Sequence, residues 1–261
     1  YYWDFNMVKG LVTLVTGAAS GLGKATAERI LQLGGRVTLC DLPSSNGKVV
    51  AETLGSGAVF VPTNVTLESD VLEALRVTKE SFGKLDAVVN CAGIGVAFKT
   101  YNFNKDKPHS FEEFMKVLQV NTGGTFNVIR LAVGLIGKNQ PDQNGIRGCV
   151  INTASVAAFD GQIGQAAYSA SKGGIVGMTL PLARDLSSQG IRVMTIAPGL
   201  FDTPLLQSLP EKVRTILAST VPCPSKLGDP IDYAKLVISI LENPMLNGEV
   251  IRLDGALRMQ P

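Results

Sequence analysis

Histidine is nearly absent from this 261-residue chain, which contains a single one, His109. A zinc site built on two or three imidazoles is thereby excluded, and a Ser-His-Asp mechanism would rest on that one residue. His109 lies in Lys105-Asp106-Lys107-Pro108-His109-Ser110, a polar stretch that reads as a loop with a solvated imidazole. Any acid-base chemistry is therefore expected from another side chain. Cysteine is scarce as well. Cys40, Cys91, Cys149 and Cys223 are widely separated and form no C-x-x-C pair, so they read as reduced thiols of an intracellular protein, with neither a disulfide framework nor a metal site. Neither sign of charge is in excess. Twenty-four Lys and Arg against twenty-two Asp and Glu leave +2, too little to signal direct nucleic-acid binding. Long apolar runs are also missing: the longest stretch without a formal charge, Thr53 to Leu67, holds Gly, Pro and Asn, so no membrane insertion is expected.

What the chain does have is 45% apolar residues and 28 glycines, which excludes disorder, collagen and coiled coil. Short β-branched runs recur at Leu11 to Thr16, Arg36 to Cys40, Ala58 to Val61, Leu85 to Asn90, Cys149 to Asn152, Arg192 to Ile196 and Glu249 to Leu253. Helix-length amphipathic segments separate them, so the pattern is a succession of βαβ units. The expected fold class is α/β: a single Rossmann-type doubly wound parallel sheet of about seven strands with helices on both faces and a ligand crevice at the strand carboxyl ends. Residues 10–261 read as one domain of this fold. Residues 1–9 read as an N-terminal extension partly of cloning origin, with Met7 a candidate native start and no readable targeting signal. Phe98 to His109 and Asn139 to Gly148 look like inserted loops.

Directly after the first strand comes Gly17-Ala18-Ala19-Ser20-Gly21-Leu22-Gly23 and then a helical run. Gly17, Gly21 and Gly23 would let the chain turn sharply and bring the backbone N–H groups around Ser20 and Leu22 to a pyrophosphate. Asp41 ends the second strand, eighteen residues beyond Gly23, where a carboxylate accepts from an adenosine ribose and repels a 2′-phosphate. The expected cofactor is NAD, with a turn cap as the plainer role for Asp41. Asn64 and Val65 follow the third strand, and Cys91 and Gly93 the fourth, all at the expected crevice. Asn64 also suits a helix cap.

Tyr168 and Lys172 stand four residues apart in Tyr168-Ser169-Ala170-Ser171-Lys172, hence on one helical face, where the ammonium is expected to lower the phenol pKa. Such a tyrosine exchanges a proton with an alcohol while hydride passes to nicotinamide. Ser155 ends the fifth strand thirteen residues earlier and is placed to bind the substrate oxygen. Asn121, between two helical stretches, is expected to break the helix and hold a water in a relay with Lys172. Phe201 and Thr203 are expected over the nicotinamide, and Leu205 and Leu206 as an apolar substrate wall or as plain helix burial. Lys99, Lys105 and Lys107 suit either a substrate phosphate or a solvated loop.

The Gly turn, Asn90-Cys91-Ala92-Gly93, Asn121, Ser155, Tyr168, Lys172 and Ala197-Pro198-Gly199 together resemble the short-chain dehydrogenase/reductase family, from about Val8 to Pro261. Departures from its pattern are Cys91 where many members carry Asn, Asn64 where Asp is common, and Asp202 where a small residue is usual. The stretches 151–181, 195–206 and 246–261 resemble family members that act on 3-hydroxyacyl-CoAs and hydroxysteroids. That resemblance implies an NAD-dependent homotetramer of the mitochondrial matrix that oxidises short and branched 3-hydroxyacyl-CoAs in isoleucine and fatty acid breakdown, with Gln162 and Gln165 on the substrate side. It further implies a scaffold role toward a tRNA methyltransferase in tRNA processing. Two rival readings follow: a scaffold whose catalysis is incidental, against which the intact Ser155, Tyr168 and Lys172 argue, and an NADPH-linked carbonyl reductase, against which Asp41 argues.

Overall fold

A computed structural model describes residues 8–261; Tyr1–Met7, where most of the expected extension falls, lie outside the described residues. Val8 is buried in the core and its carbonyl accepts from the Leu11 N–H.

The strands are β1 (Val12–Thr16), β2 (Arg36–Asp41), β3 (Ala58–Pro62), β4 (Ala87–Asn90), β5 (Tyr101–Asn102), β6 (Lys107–Pro108), β7 (Gly148–Thr153), β8 (Ile191–Pro198) and β9 (Val250–Leu253). Seven of them form one sheet in the order β3-β2-β1-β4-β7-β8-β9, parallel throughout. Residues in β1, β4 and β8 are buried along their whole length, as continuous Val, Ile and Thr runs require when helices cover both faces. On one face α1 (Gly21–Gln32), α2 (Gly47–Leu54) and α9 (Pro230–Glu242) enclose Ile30, Leu39, Ile151, Met194 and Val237. On the other, α3 (Glu68–Phe82), α5 (Gly124–Ile136) and α6 (Ala166–Ser187) enclose Leu14, Val88, Ile129 and Val150. The strand order reverses between β1 and β4, which opens the crevice at their carboxyl ends.

The two inserted segments are ordered. Phe98 to His109 holds the antiparallel β5–β6 hairpin, which leads into α4 (Phe111–Leu118). His109 is half-buried and not solvated as its polar neighbours suggest, because its ring sits 5.3 Å from that of Phe98 and 6.3 Å from that of Phe114. In Asn139 to Gly148 the Asp142 carboxylate accepts from the N–H groups of Asn144 and Ile146, each at 2.8 Å, giving a closed surface turn. Between β8 and α9 run the short α7 (Pro204–Gln207) and α8 (Glu211–Ser219).

Arg192 on β8 is 6% exposed, and its guanidinium donates to the carbonyls of Leu246, Ile240 and Leu241 at 2.7, 2.9 and 3.1 Å. It therefore closes the C-terminal end of α9, where the helix dipole favours a cation. Arg192→Met keeps the apolar stem but leaves those carbonyls without a donor, an expected loss of about 3 kcal/mol. Urea unfolding would show it as a lower midpoint at unchanged slope.

Candidate active site

The cofactor side is built by the turn between β1 and α1. Gly17 has φ +64°, and a Cβ there would lie 2.8 Å from the Ala92 nitrogen, so this turn packs directly on the chain leaving β4. A Cβ on Gly23 would lie 2.3 Å from the Gly17 carbonyl oxygen. The first turn of α1 has no side-chain cap at Ser20 and no acidic residue, which leaves a positive helix end facing the crevice. Asp41 at the end of β2 accepts from the Ala19 N–H at 2.9 Å and the Leu42 N–H at 2.8 Å. The carboxylate thus holds the glycine turn in place and keeps lone pairs free for ribose hydroxyls. This turn, uncapped helix end and carboxylate fit a dinucleotide.

Other expected cofactor contacts are placed as follows. Asn64 accepts from both the Thr66 N–H (3.1 Å) and the Thr66 hydroxyl (2.9 Å), so its side-chain oxygen is engaged in the turn before α3. Val65 is buried and packs where a Gly124 side chain would otherwise stand. Thr203 lies against Gly21, closing the chain after β8 over the glycine turn. Phe201 is 8% exposed and packs its ring onto Gly228 and into the core. Asp202 is exposed and accepts from the Gln207 amide at 3.0 Å.

On the catalytic side, Tyr168 and Lys172 project from the N-terminal part of α6, with the Lys172 ammonium 5.8 Å from the Tyr168 ring centroid. Burial raises the phenol pKa, and the interaction with the Ser155 hydroxyl opposes it. The net direction is upward because desolvation outweighs the groups that favour the phenolate, while the Lys172 ammonium gives its hydrogen bond to the Thr153 carbonyl at 2.8 Å. Lys172 is 5% exposed, and burial brings its own pKa down to about 8. Ser155, just past β7, accepts from the Ala157 N–H at 3.1 Å.

Asn121 lies in a π-helical turn, Gln119–Gly123, that joins α4 to α5. The local helix break frees its side chain to reach inward. Its oxygen accepts from the Ile94 N–H at 2.8 Å, and its amide donates to the Ile94 carbonyl and the Ser171 hydroxyl, both at 2.9 Å. Both amide protons are used, so Asn121 pins the segment after β4 to α6. Gly93 stands between Asn121 and Lys172: a Cβ there would lie 3.1 Å from the Asn121 side-chain oxygen and 3.5 Å from the ammonium.

Toward the substrate side, Leu205 leans over Gly95, and Leu206 is half-buried. Gln165 accepts from the Gln162 N–H at 3.0 Å, while the Gln162 amide reaches the Gln260 carbonyl at 2.8 Å. The Gln162 side chain is thus committed to the C-terminal tail. A cavity of about 430 Å³ opens beside this loop, lined by Lys99, Thr100, Ile163, Gln165 and Ser169 among others. Lys99 is the basic residue of the inserted segment that borders it. Thr153 and Tyr233 were not legible as site residues: each is a buried position in an ordinary strand or helix pattern, and only the long-range pairing brings them under Lys172.

The short chain dehydrogenase family model matches residues 11–214. The 3-hydroxyacyl-CoA dehydrogenase type-2 of Drosophila melanogaster is 64% identical over 255 residues, 98% of this chain and 100% of that protein. That of Homo sapiens is 66% identical over 254 residues, 97% of each. Among solved structures, 3-hydroxyacyl-CoA dehydrogenase type-2 from Mycobacterium avium superposes with a TM-score of 0.93 at 41% identity over 100% of both chains. A 3-ketoacyl-(acyl-carrier-protein) reductase from Brucella melitensis complexed with NADH does so with a TM-score of 0.84 at 29% identity, covering 97% of this chain and 100% of that one. Glycine turn, parallel sheet and the Ser155, Tyr168 and Lys172 cluster all lie within that shared frame, and the chain belongs to the short chain dehydrogenase family.

Proposed function

We propose that the protein oxidises short and branched-chain 3-hydroxyacyl-CoAs to 3-ketoacyl-CoAs with NAD, acting on hydroxysteroids as well. The observation that carries this is the full-length likeness to the 3-hydroxyacyl-CoA dehydrogenases, joined to a site whose acid-base groups converge without histidine. Bound NAD supplies the hydride acceptor, held by the turn of Gly17, Ser20, Gly21, Leu22 and Gly23, with Asp41 on the ribose and Val65, Cys91, Gly93 and Thr203 lining the crevice. Tyr168 takes the alcohol proton, Ser155 binds the substrate oxygen, and Lys172 offsets the charge of the phenolate. Asn121 would hold a water that continues the proton relay from Lys172. Oxidation is expected to speed up as pH rises, because the phenol must lose its proton and burial keeps its pKa up. The direct test is NADH formation from a branched short-chain 3-hydroxyacyl-CoA; no turnover with any 3-hydroxyacyl-CoA would overturn the reading. A homotetramer in the mitochondrial matrix completes it, checked by light scattering and by fractionation of cells.

Asp41 gives the cofactor test. Asp41→Ala removes both the ribose acceptor and the brace on Ala19, so the KM for NAD should rise about tenfold, the loss of a charged hydrogen bond. NADP should become a better substrate as the repulsion of its phosphate disappears. An NADP preference in the unaltered protein would contradict the assignment.

A further inference from the structure

The lysine of the proposed chemistry hangs on one carbonyl. Among the described residues Lys172 has no ion pair, and its hydrogen bond goes to Thr153 at the end of β7. The hydroxyl of the same Thr153 belongs to a second set of contacts. It lies 2.7 Å from the Tyr233 hydroxyl and donates to the Cys91 thiol at 3.5 Å, while that thiol donates to the Tyr233 oxygen at 3.7 Å. With Tyr233 donating to Thr153, the three groups close a ring in which each gives one proton and receives one. Tyr233 sits in α9 and is 0% exposed, surrounded by apolar residues. A buried phenol is costly there unless its hydroxyl is bonded, and this ring bonds it at the point where β4, β7 and α9 meet. Closed rings of this kind reinforce their members.

We propose that Tyr233 is a positioning residue for Lys172: it completes the ring that occupies the Thr153 and Cys91 protons, and so fixes the Thr153 carbonyl for the ammonium alone. Opening the ring frees the Thr153 hydroxyl to turn and its peptide to shift, and the ammonium loses part of its anchor. The lysine then holds its proton less well and supports the Tyr168 phenolate less well. The titratable groups around Lys172 are Tyr168 on α6, the Cys91 thiol after β4, and Tyr233 itself behind Thr153.

This inference rests on the role given to Lys172 under the proposed function. In Tyr233→Phe, which keeps the ring and its packing, kcat for NAD reduction should fall about fivefold. The rising limb of the kcat/KM pH profile should move to higher pH by about half a unit. The Lys172 ε-carbon, followed by NMR and assigned through Lys172→Arg, should titrate at lower pH than in the unaltered protein. Thr153→Val should do the same from the other side of the ring, and the double variant should add nothing to either single one. A Lys172 titration identical in all variants, or losses that add in the double variant, would overturn the inference. Absence of turnover in the unaltered protein removes the proposed function instead, and the NMR titration still decides the position of Tyr233.

Discussion

Tyr168→Phe is expected to lose about three orders of magnitude in kcat for NAD reduction, the scale of removing a general acid-base group. The substitution takes away one oxygen and leaves the aromatic ring that packs on α6. The Tyr168 ring already faces the Lys172 ammonium at 5.8 Å, a contact Phe retains. Thermal unfolding and NADH binding, read by the fluorescence of bound NADH, should therefore stay close to those of the unaltered protein. Ser155→Ala should cost less, because Ser155 interacts with the phenol and, in the proposed chemistry, would bind the substrate oxygen without moving a proton of its own. Persistent turnover in Tyr168→Phe at near-normal rate would show that the proton leaves by another route.

Gly23→Ala should damage both the fold and the cofactor site. Its Cβ would lie 2.3 Å from the Gly17 carbonyl oxygen, 2.8 Å from the Gly17 carbonyl carbon and 3.1 Å from the Ala18 Cα. All three are backbone atoms of the turn, so relief requires moving the turn itself. Overpacking of this kind costs about 1–3 kcal/mol. Any shift of Gly17 also presses on Ala92, because those backbones are in close contact. NAD affinity should fall at least tenfold, since the turn can no longer present its N–H groups in register. Gly134→Ala is the control. It is an exposed position in α5 with nothing within 4 Å of the added carbon, so helix propensity should leave it neutral or stabilised by up to about 1 kcal/mol. Equal losses in both variants, measured by urea unfolding and NADH titration, would refute the steric argument.

Much of the architecture was legible because it follows from local pattern. Each of the seven sheet strands is a run of β-branched residues between helical segments, and its bounds fall within a few residues of the expected ones. Departures arise where contacts override pattern: Leu85 and Asp86 precede β4, while β8 continues through Ala197 to Pro198 in register with β9. The clustering of Ser155, Tyr168 and Lys172 was also readable, since two share a helix face and the third ends a strand of a parallel sheet. What could not be read depends on partners far away in sequence. The direction of the Phe201 ring is set by Gly228, the Gln162 amide by Gln260, and the hydroxyl of Thr153 by Tyr233, eighty residues on. The net direction of the Tyr168 pKa shift is beyond the sequence for a related reason: spacing shows that a lysine is near but not how deeply the phenol is buried.

The packing of His109 gives the molecule a built-in reporter. With one imidazole in the chain, histidine-selective isotope labelling marks the protons of a single ring. Phe98 and Phe114 impose ring-current shifts on them, and the Phe98 N–H is bonded to the Gly164 carbonyl of the substrate-side loop at 2.8 Å. A spectrum of the histidine-labelled protein therefore follows the docking of the β5–β6 hairpin against that loop, before and after an acyl-CoA is added.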